Sequence, residues 1–427
     1  MKRALVIGSG AGGATIAKEL QGKFAVTVLE AGKEFHPLSL NLSYMDTIKK
    51  TGLMFDEREI QLLFPAMKIR KTVERIVMVN GIGLGGTTTI ATGNAVRMDE
   101  DLKKCGINLD HEFEELYREI PISTGHQKRW RPATRKLFEI CQEMGFAPKP
   151  LPKMGDNSKC INCGRCVLGC AYGAKWDSRK FLQSALEKGA NVMTGCKVEK
   201  IIFKNGSAMG VEFRKGWKTE FLSADMIILA AGGFGTPVIL ENSGIVCEKK
   251  MFVDPVLCVA AEWENAYQNK EISMPFVSQR NGCILSPYFD YLSYFFNRAW
   301  KFHAHDTLGM MIKIADSNTG AVTKKAIDKT LTPQDKDRLK SGVDDCQQIF
   351  SRLGIHESQT ILGTINAGHP GGMLPLTKDD AETLHPRQLP NNVFIADATL
   401  LPSSLGNPPI LTIMAMAKRV SKICAQA

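Results

Sequence analysis

Four cysteines within eleven residues are the most chemically pointed feature of the chain: Cys160, Cys163, Cys166 and Cys170, spaced C-x2-C-x2-C-x3-C. Gaps this short let successive thiolates surround one inorganic centre, with Gly164 and Gly169 relieving the tight backbone between them. The spacing is that of a ferredoxin-type run. Zinc is the main rival, although four-cysteine zinc sites usually pair two C-x2-C units across a longer gap. In ferredoxins the fourth cysteine of such a run commonly ligates a different cluster and is followed by Pro; here Ala171 follows, and there is no second run. One [4Fe–4S] cluster is the expectation, with [3Fe–4S] and zinc as alternatives.

A second chemistry sits at the N-terminus. The apolar run Ala4–Ile7 leads into Gly8-Ser9-Gly10-Ala11-Gly12-Gly13 and then a helix-like ATIAKELQ. Gly8 permits a tight turn, Gly10 lets backbone approach a pyrophosphate, and Gly13 lets helix pack on strand. The helix N-terminus offers unpaired N–H groups and a positive dipole. A strand over Val26–Leu29 ends in Glu30, which can accept from a ribose hydroxyl pair and argues against a 2′-phosphate. The motif does not by itself separate FAD from NAD. The run Met226–Gly233 reads as a late strand and Gly turn of the kind flavoproteins bring back beside the first strand, or as any buried parallel strand. Val393–Asp397 reads as a buried strand ending in an acid. Ile410, Ile413, Met414 and Ala417 have helical spacing, with Asn407 as N-cap, Pro408 at the first helical position and Lys418, Arg419 and Lys422 near the negative end. The positive end of that helix suits the charge on a reduced flavin.

Taken together these segments resemble the glucose–methanol–choline (GMC) oxidoreductase family. The resemblance rests on the N-terminal glycines with Glu30, on Gly83–Arg97 (similar to that family's flavin loop), on Gly233–Ile245 (close to its second signature), and on Gly368-His369-Pro370-Gly371-Gly372 with the Asp397–Asn407 segment. Departures include Thr87 and Thr88 for Ser, Ala91 for Asn, and Val246 for a final Gly. The resemblance implies FAD held by Gly8, Gly10, Ala11, Gly13, Glu30, Gly85, Gly86, Thr87, Val198, Asp397, Asn407 and Pro408. It implies His369 and Asn407 as the catalytic pair. The chemistry agrees: an imidazole titrating near neutrality can take a hydroxyl proton as hydride leaves carbon, and an amide can orient the oxygen. The loop after Cys170, Ala-Tyr-Gly-Ala-Lys175-Trp-Asp-Ser, resembles one in cysteine-rich GMC branches. A cluster beside a flavin would release electrons singly to an external acceptor, which favours a dehydrogenase over an oxidase.

Positioning these groups requires an α/β chain with an α+β substrate part. The expectation is a discontinuous Rossmann-like FAD-binding domain from residues 1–100, 178–250 and 361–427. An insertion, 101–177, carries the iron–sulfur cysteine loop (155–178), and a smaller sheet-containing substrate domain covers 251–360. In that last part the aromatic run Tyr288–Phe296 reads first as core or sheet packing and second as a pocket lining, and His303 and His305 read as ordinary strand residues. Of 427 residues 44% are hydrophobic and 23% charged, an ordinary globular composition. Twelve cysteines without a short secreted framework suggest metal for the cluster and core filling for the rest. The net charge of +10 is spread along the chain, with no nucleic-acid-binding tract. No run reaches the length of a membrane span, so a cytoplasmic address is expected. The function expected is a dehydrogenase acting on a CH–OH group. Its partners would be a small-molecule alcohol or carbonyl substrate and a protein electron acceptor or partner subunit. Alternatives are a carbonyl reductase and an electron-transfer or complex-forming subunit without its own substrate.

Overall fold

A computed structural model describes residues 1–38 and 56–426. Its first layer is a five-stranded, all-parallel sheet in the order Val393–Ile395, Met226–Leu229, Arg3–Ile7, Ala25–Leu29, Asn191–Met193. Met226–Leu229 and Val393–Ile395 are apolar and buried at every position, and Arg3–Ile7 at every position after Arg3, because both faces are covered. The helices Ala11–Glu19 and Ile410–Cys424 pack on one another, so the two chain ends meet in one core. An antiparallel sheet of Cys196–Lys204, Ser207–Lys215 and Lys218–Ser223 lies alongside.

The second layer is a nine-stranded mixed sheet built around the pairs Val256–Glu262 with Thr307–Ile314 and Cys283–Pro287 with Thr307–Ile314. The 19-residue helix Pro333–Ser351 covers it, started by Thr332 and Asp335 in a reciprocal capping box. Its edge reaches back into residues before 100 through Met67–Lys71 and Val77–Gly81. The aromatic run forms the short helix Tyr291–Phe296, capped by Asp290, rather than a strand. His303 and His305 lie in the turn before Thr307–Ile314, not in a strand, with their rings stacked on one another. Among the described residues no helix is long and apolar enough to cross a membrane.

Candidate active site and cysteine loop

The glycine turn is shaped by close approach. Gly8 has φ +102° and a Cβ there would stand 2.3 Å from the Ala230 carbonyl oxygen; at Gly13 it would stand 1.9 Å from the Gly8 carbonyl oxygen. Gly10 differs: among the described residues no heavy atom outside its chain neighbours lies within 4 Å of its Cβ position, so the turn faces open space. Among the same residues no side chain caps the helix that begins at Ala11. A bare helix N-terminus over an open glycine is what a pyrophosphate requires.

Glu30 is buried and more occupied than its sequence position suggests. Its carboxylate accepts from Ser9 N–H at 3.1 Å, Ser9 Oγ at 2.6 Å, Gly32 N–H at 2.9 Å and Gly83 N–H at 3.2 Å. Four donors fill a carboxylate's acceptor sites, so a ribose hydroxyl at Glu30 has to displace one, with the rotatable Ser9 hydroxyl the easiest. Asp397 likewise accepts from Gly232 N–H at 2.9 Å, Thr236 Oγ1 at 2.6 Å and Thr399 N–H at 2.9 Å, binding two turns together. Val198 is buried in the strand Cys196–Lys204. Gly85 and Gly86 take φ +92° and +52°, and a Cβ at Gly86 would stand 2.9 Å from the Gly10 Cα, so this loop lies against the first turn. Thr87 Oγ1 accepts from Gly81 N–H at 3.1 Å.

A cavity of about 200 Å³ opens beside that loop. Its polar lining includes Thr87, Asn94, Asp290, Lys313 and His369, and its apolar lining includes Met67, Phe295 and Phe296. The aromatic helix is therefore pocket wall as well as packing. His369 Nδ1 lies 3.1 Å from Asp254 Oδ2 and 2.9 Å from Lys313 Nζ. Asp254 is held in the left-handed region at φ 51°, just ahead of Val256–Glu262. Lys313 comes from the neighbouring strand, where it pairs in register with Val256 and donates to the Asp254 carbonyl at 3.0 Å. Ser404 Oγ and Gly406 N–H donate to Asp254 Oδ1 from the C-terminal segment. Behind them Lys329 Nζ lies 2.6 Å from Asp316 Oδ2. Two buried carboxylates thus meet two buried ammonium groups.

Burial first, and Lys313 second, hold His369 below the ordinary histidine value of 6.5, against the opposing pull of Asp254. Burial alone would raise Asp254, but Lys313 and then His369 and Ser404 hold it below its usual range. One ring nitrogen cannot donate to Asp254 and accept from Lys313 at once. Donation leaves Nε2 as an acceptor; acceptance requires the proton on Nε2. The pair offers the imidazole both a base form and an acid form.

Asn407 is buried near this cavity, but it is not the helix N-cap. The helix begins at Ile410 with Pro409 before it, and among the described residues the Asn407 amide donates only to the Leu405 carbonyl, at 3.4 Å. Two consecutive prolines delay the helix, because Pro408 and Pro409 lack the N–H groups a cap would bind. Pro408 accordingly lies ahead of the first turn.

Cys160, Cys163, Cys166 and Cys170 line a single cavity of about 50 Å³, shared with Lys153 and Lys175. The loop curls through left-handed Asn162, Gly164 and Gly169, at φ 58°, 73° and 90°. A Cβ on Gly164 would stand 2.0 Å from the Asn269 carbonyl oxygen, and one on Gly169 would stand 2.6 Å from the Phe35 ring. The Lys175 N–H points at Cys170 Sγ, 3.5 Å away. Among the described residues no three His, Cys, Asp or Glu side chains converge as a single metal ion needs. The thiols stand around a void instead.

Sequence reasoning missed the two lysines. Lys175 Nζ donates to the carbonyls of Thr89 at 2.7 Å, Ala91 at 2.6 Å and Cys166 at 3.0 Å. Lys153 Nζ donates to the Ser273 carbonyl at 2.6 Å and to Asn94 Oδ1. Burial lowers them to about 8 and about 7 respectively, with the cysteines of the loop pulling the other way. Neither is in an ion pair with a carboxylate among the described residues. Thr92 lines both cavities, so one backbone segment separates them.

A parallel sheet whose glycine turn feeds a bare helix N-terminus defines the class: a dinucleotide-binding α/β oxidoreductase fold. The family model described as GMC oxidoreductase matches residues 3–258, and the chain belongs to the GMC oxidoreductase family, whose members bind FAD and act on alcohols. It is similar to an uncharacterized protein of Methanocaldococcus jannaschii, 29% identical over 97% of each chain. A long-chain-alcohol oxidase of Arabidopsis thaliana is 21% identical over 97% of this chain and 67% of its own. The solved structure of pyridoxine 4-oxidase from Mesorbium loti superposes with a TM-score of 0.72 at 14% identity, covering 99% of both chains, and shares the fold.

Proposed function

We propose that this protein is an FAD-dependent dehydrogenase acting on a CH–OH group, with residues 1–100, 178–250 and 361–427 holding the FAD. The observation that carries the reading is His369, gripped at Nδ1 by Asp254 and Lys313 in the wall of a largely apolar cavity. Gly10, Gly85, Gly86 and the helix at Ala11 would hold the cofactor, and bound FAD supplies the hydride acceptor. Asp254 keeps the His369 proton on Nδ1, which leaves Nε2 to take the hydroxyl proton of an alcohol. Asn407, next to Pro408 of the cavity wall, would orient the oxygen once its amide leaves the Leu405 carbonyl. The apolar walls exclude water and fit an alcohol with a hydrocarbon body. Lys313 supports the reverse direction as well: its donation to Nδ1 puts a proton on Nε2, ready for a carbonyl oxygen.

The cysteine loop would hold a [4Fe–4S] cluster that takes the electrons out. Two buried ammonium groups with no carboxylate ion pair among the described residues are costly unless an anion faces them, and a cluster with four thiolate ligands is anionic. Four thiols around a void suit a group larger than one ion, whereas zinc draws each sulfur to about 2.3 Å from a common centre. This electron exit favours a dehydrogenase over an oxidase.

The test is an anaerobic screen of alcohols followed by flavin bleaching, with His369→Ala alongside. The variant should keep its FAD and lose roughly 10²–10⁴-fold in bleaching rate. Unchanged bleaching removes His369 as base. Iron and acid-labile sulfide on the same anaerobic preparation test the cluster, and zinc without sulfide ends it.

A further inference from the structure

The cysteine loop is not sealed inside the molecule. All four of its cysteines are partly exposed, and Ile161 and Tyr172, 58% and 52% exposed, stand out from it. Two neighbouring segments are tied to the loop. Asn162 donates to the Arg129 carbonyl at 3.1 Å and accepts from Ile272 N–H at 3.1 Å. Arg131 Nε donates to the Lys270 carbonyl at 2.5 Å. Residues 125–131, 157–175 and 268–272 therefore form one surface. It presents the exposed cations Lys128, Arg129, Lys159 and Lys270. These segments hold one carboxylate, Glu271, and it is buried, accepting from Arg131 N–H at 2.7 Å. Just outside them, Asp156 is 3.8 Å from Lys159.

We infer that this face is the docking surface for a small acidic protein carrying a one-electron centre, an inference that rests on the iron–sulfur reading of the loop. A cationic rim around two exposed apolar side chains matches an acidic partner with an apolar contact at its redox centre, and the charge would steer the encounter. The stoichiometry closes. Oxidising one alcohol to its carbonyl releases two electrons and two protons; two oxidised carriers take one electron each at this face, and the protons pass to solvent.

The experiment needs no knowledge of the substrate. Protein reduced stoichiometrically with dithionite is mixed in a stopped-flow instrument with rubredoxin, an acidic carrier, and separately with cytochrome c, a basic one. The wild type should reduce rubredoxin at a rate that falls steeply with ionic strength. The variant Lys128→Glu/Arg129→Glu/Lys159→Glu/Lys270→Glu should lose at least tenfold with rubredoxin and gain with cytochrome c. The corresponding fourfold Gln variant should fall between, and guards against misfolding of the charge reversal; circular dichroism, flavin and sulfide content are checked on each. Equal rubredoxin rates in wild type and both variants, with sulfide present in all, overturn the docking face while leaving the cluster standing. Wild-type protein without sulfide overturns both.

Discussion

At the scale of single residues, the decisive contact is the shared grip of Asp254 and Lys313 on His369 Nδ1. Alcohol oxidation needs the imidazole neutral, so activity is present above the His369 pKa and is lost as pH falls through it. Burial and Lys313 depress that pKa below 6.5, so the acid limb of kcat/KM should lie below pH 6.5. Lys313→Met removes a cation that disfavours the imidazolium, and the limb should move to higher pH. Asp254→Asn removes the group that favours it, so the limb should move lower, with kcat reduced about tenfold or more because the tautomer is no longer fixed. Shifts in opposite directions are the signature; a common shift in both variants would show a general loosening instead. His126 gives a second pH prediction, for stability. Its Nε2 donates to the Leu151 carbonyl at 2.8 Å and its Nδ1 accepts from Trp130 Nε1 at 3.0 Å, so it is held neutral, and burial lowers it to about 4. The unfolded chain binds the proton first, so His126 contributes full stability above about 6.5, lost progressively as pH falls towards 4. Thermal midpoints across this window should fall less steeply in His126→Asn.

At the scale of elements, the two loops that bear the chemistry are joined by Lys153 and Lys175. Each reaches from the cysteine cavity to the segment 88–94 beside the larger cavity. Replacing Lys175 by Met should have two separable effects. Protein stripped of iron should change little in stability, because losing a buried cation without a carboxylate partner offsets losing the donor to the Thr89, Ala91 and Cys166 carbonyls. Loaded protein should show a lower midpoint potential for its reduced-cluster signal in a redox titration followed by electron paramagnetic resonance, because the added electron loses a nearby positive charge. An unmoved potential would leave the lysine with loop architecture alone. These lysines also mark the limit of what the sequence discloses. The glycine turn, the late strand at Met226 and the helical spacing at Ile410 depend on nearby residues and are visible in the chain. Lys313 leaves a faint trace as the one charge in the fully buried strand Thr307–Ile314. Asp254, fifty-nine residues earlier by the numbering, has none, because its role comes from strand pairing across the sheet. The N-cap expected at Asn407 failed for a local reason, since consecutive prolines postponed the helix to Ile410.

At the scale of the whole molecule, the first and last thirty or so residues must close around each other for any of this to work. Val393–Ile395 joins the sheet two places from Arg3–Ile7, and Pro408 and Ile410 form part of the cavity wall. The lock on this closure is Lys418, which is 2% exposed in the C-terminal helix. Its Nζ lies 2.7 Å from Glu19 on the first helix, and 2.9 Å and 3.2 Å from Glu119 and Glu115 on the helix Asp110–Glu119. Lys18 and Lys422 also pair with these glutamates, at 2.9–3.1 Å, but only Lys418 is buried among all three and bridges the three distant segments. Lys418→Met should therefore cost about 3 kcal/mol, at the low end for breaking a buried pair because the glutamates keep some contact with water. The loss should appear as a lower urea midpoint together with easier release of flavin, since the same helix starts at the cavity. Lys418→Arg should recover part of both. A variant whose urea midpoint falls while flavin retention stays at the wild-type level would show that the helix is anchored for stability alone, with the cavity held by the sheet.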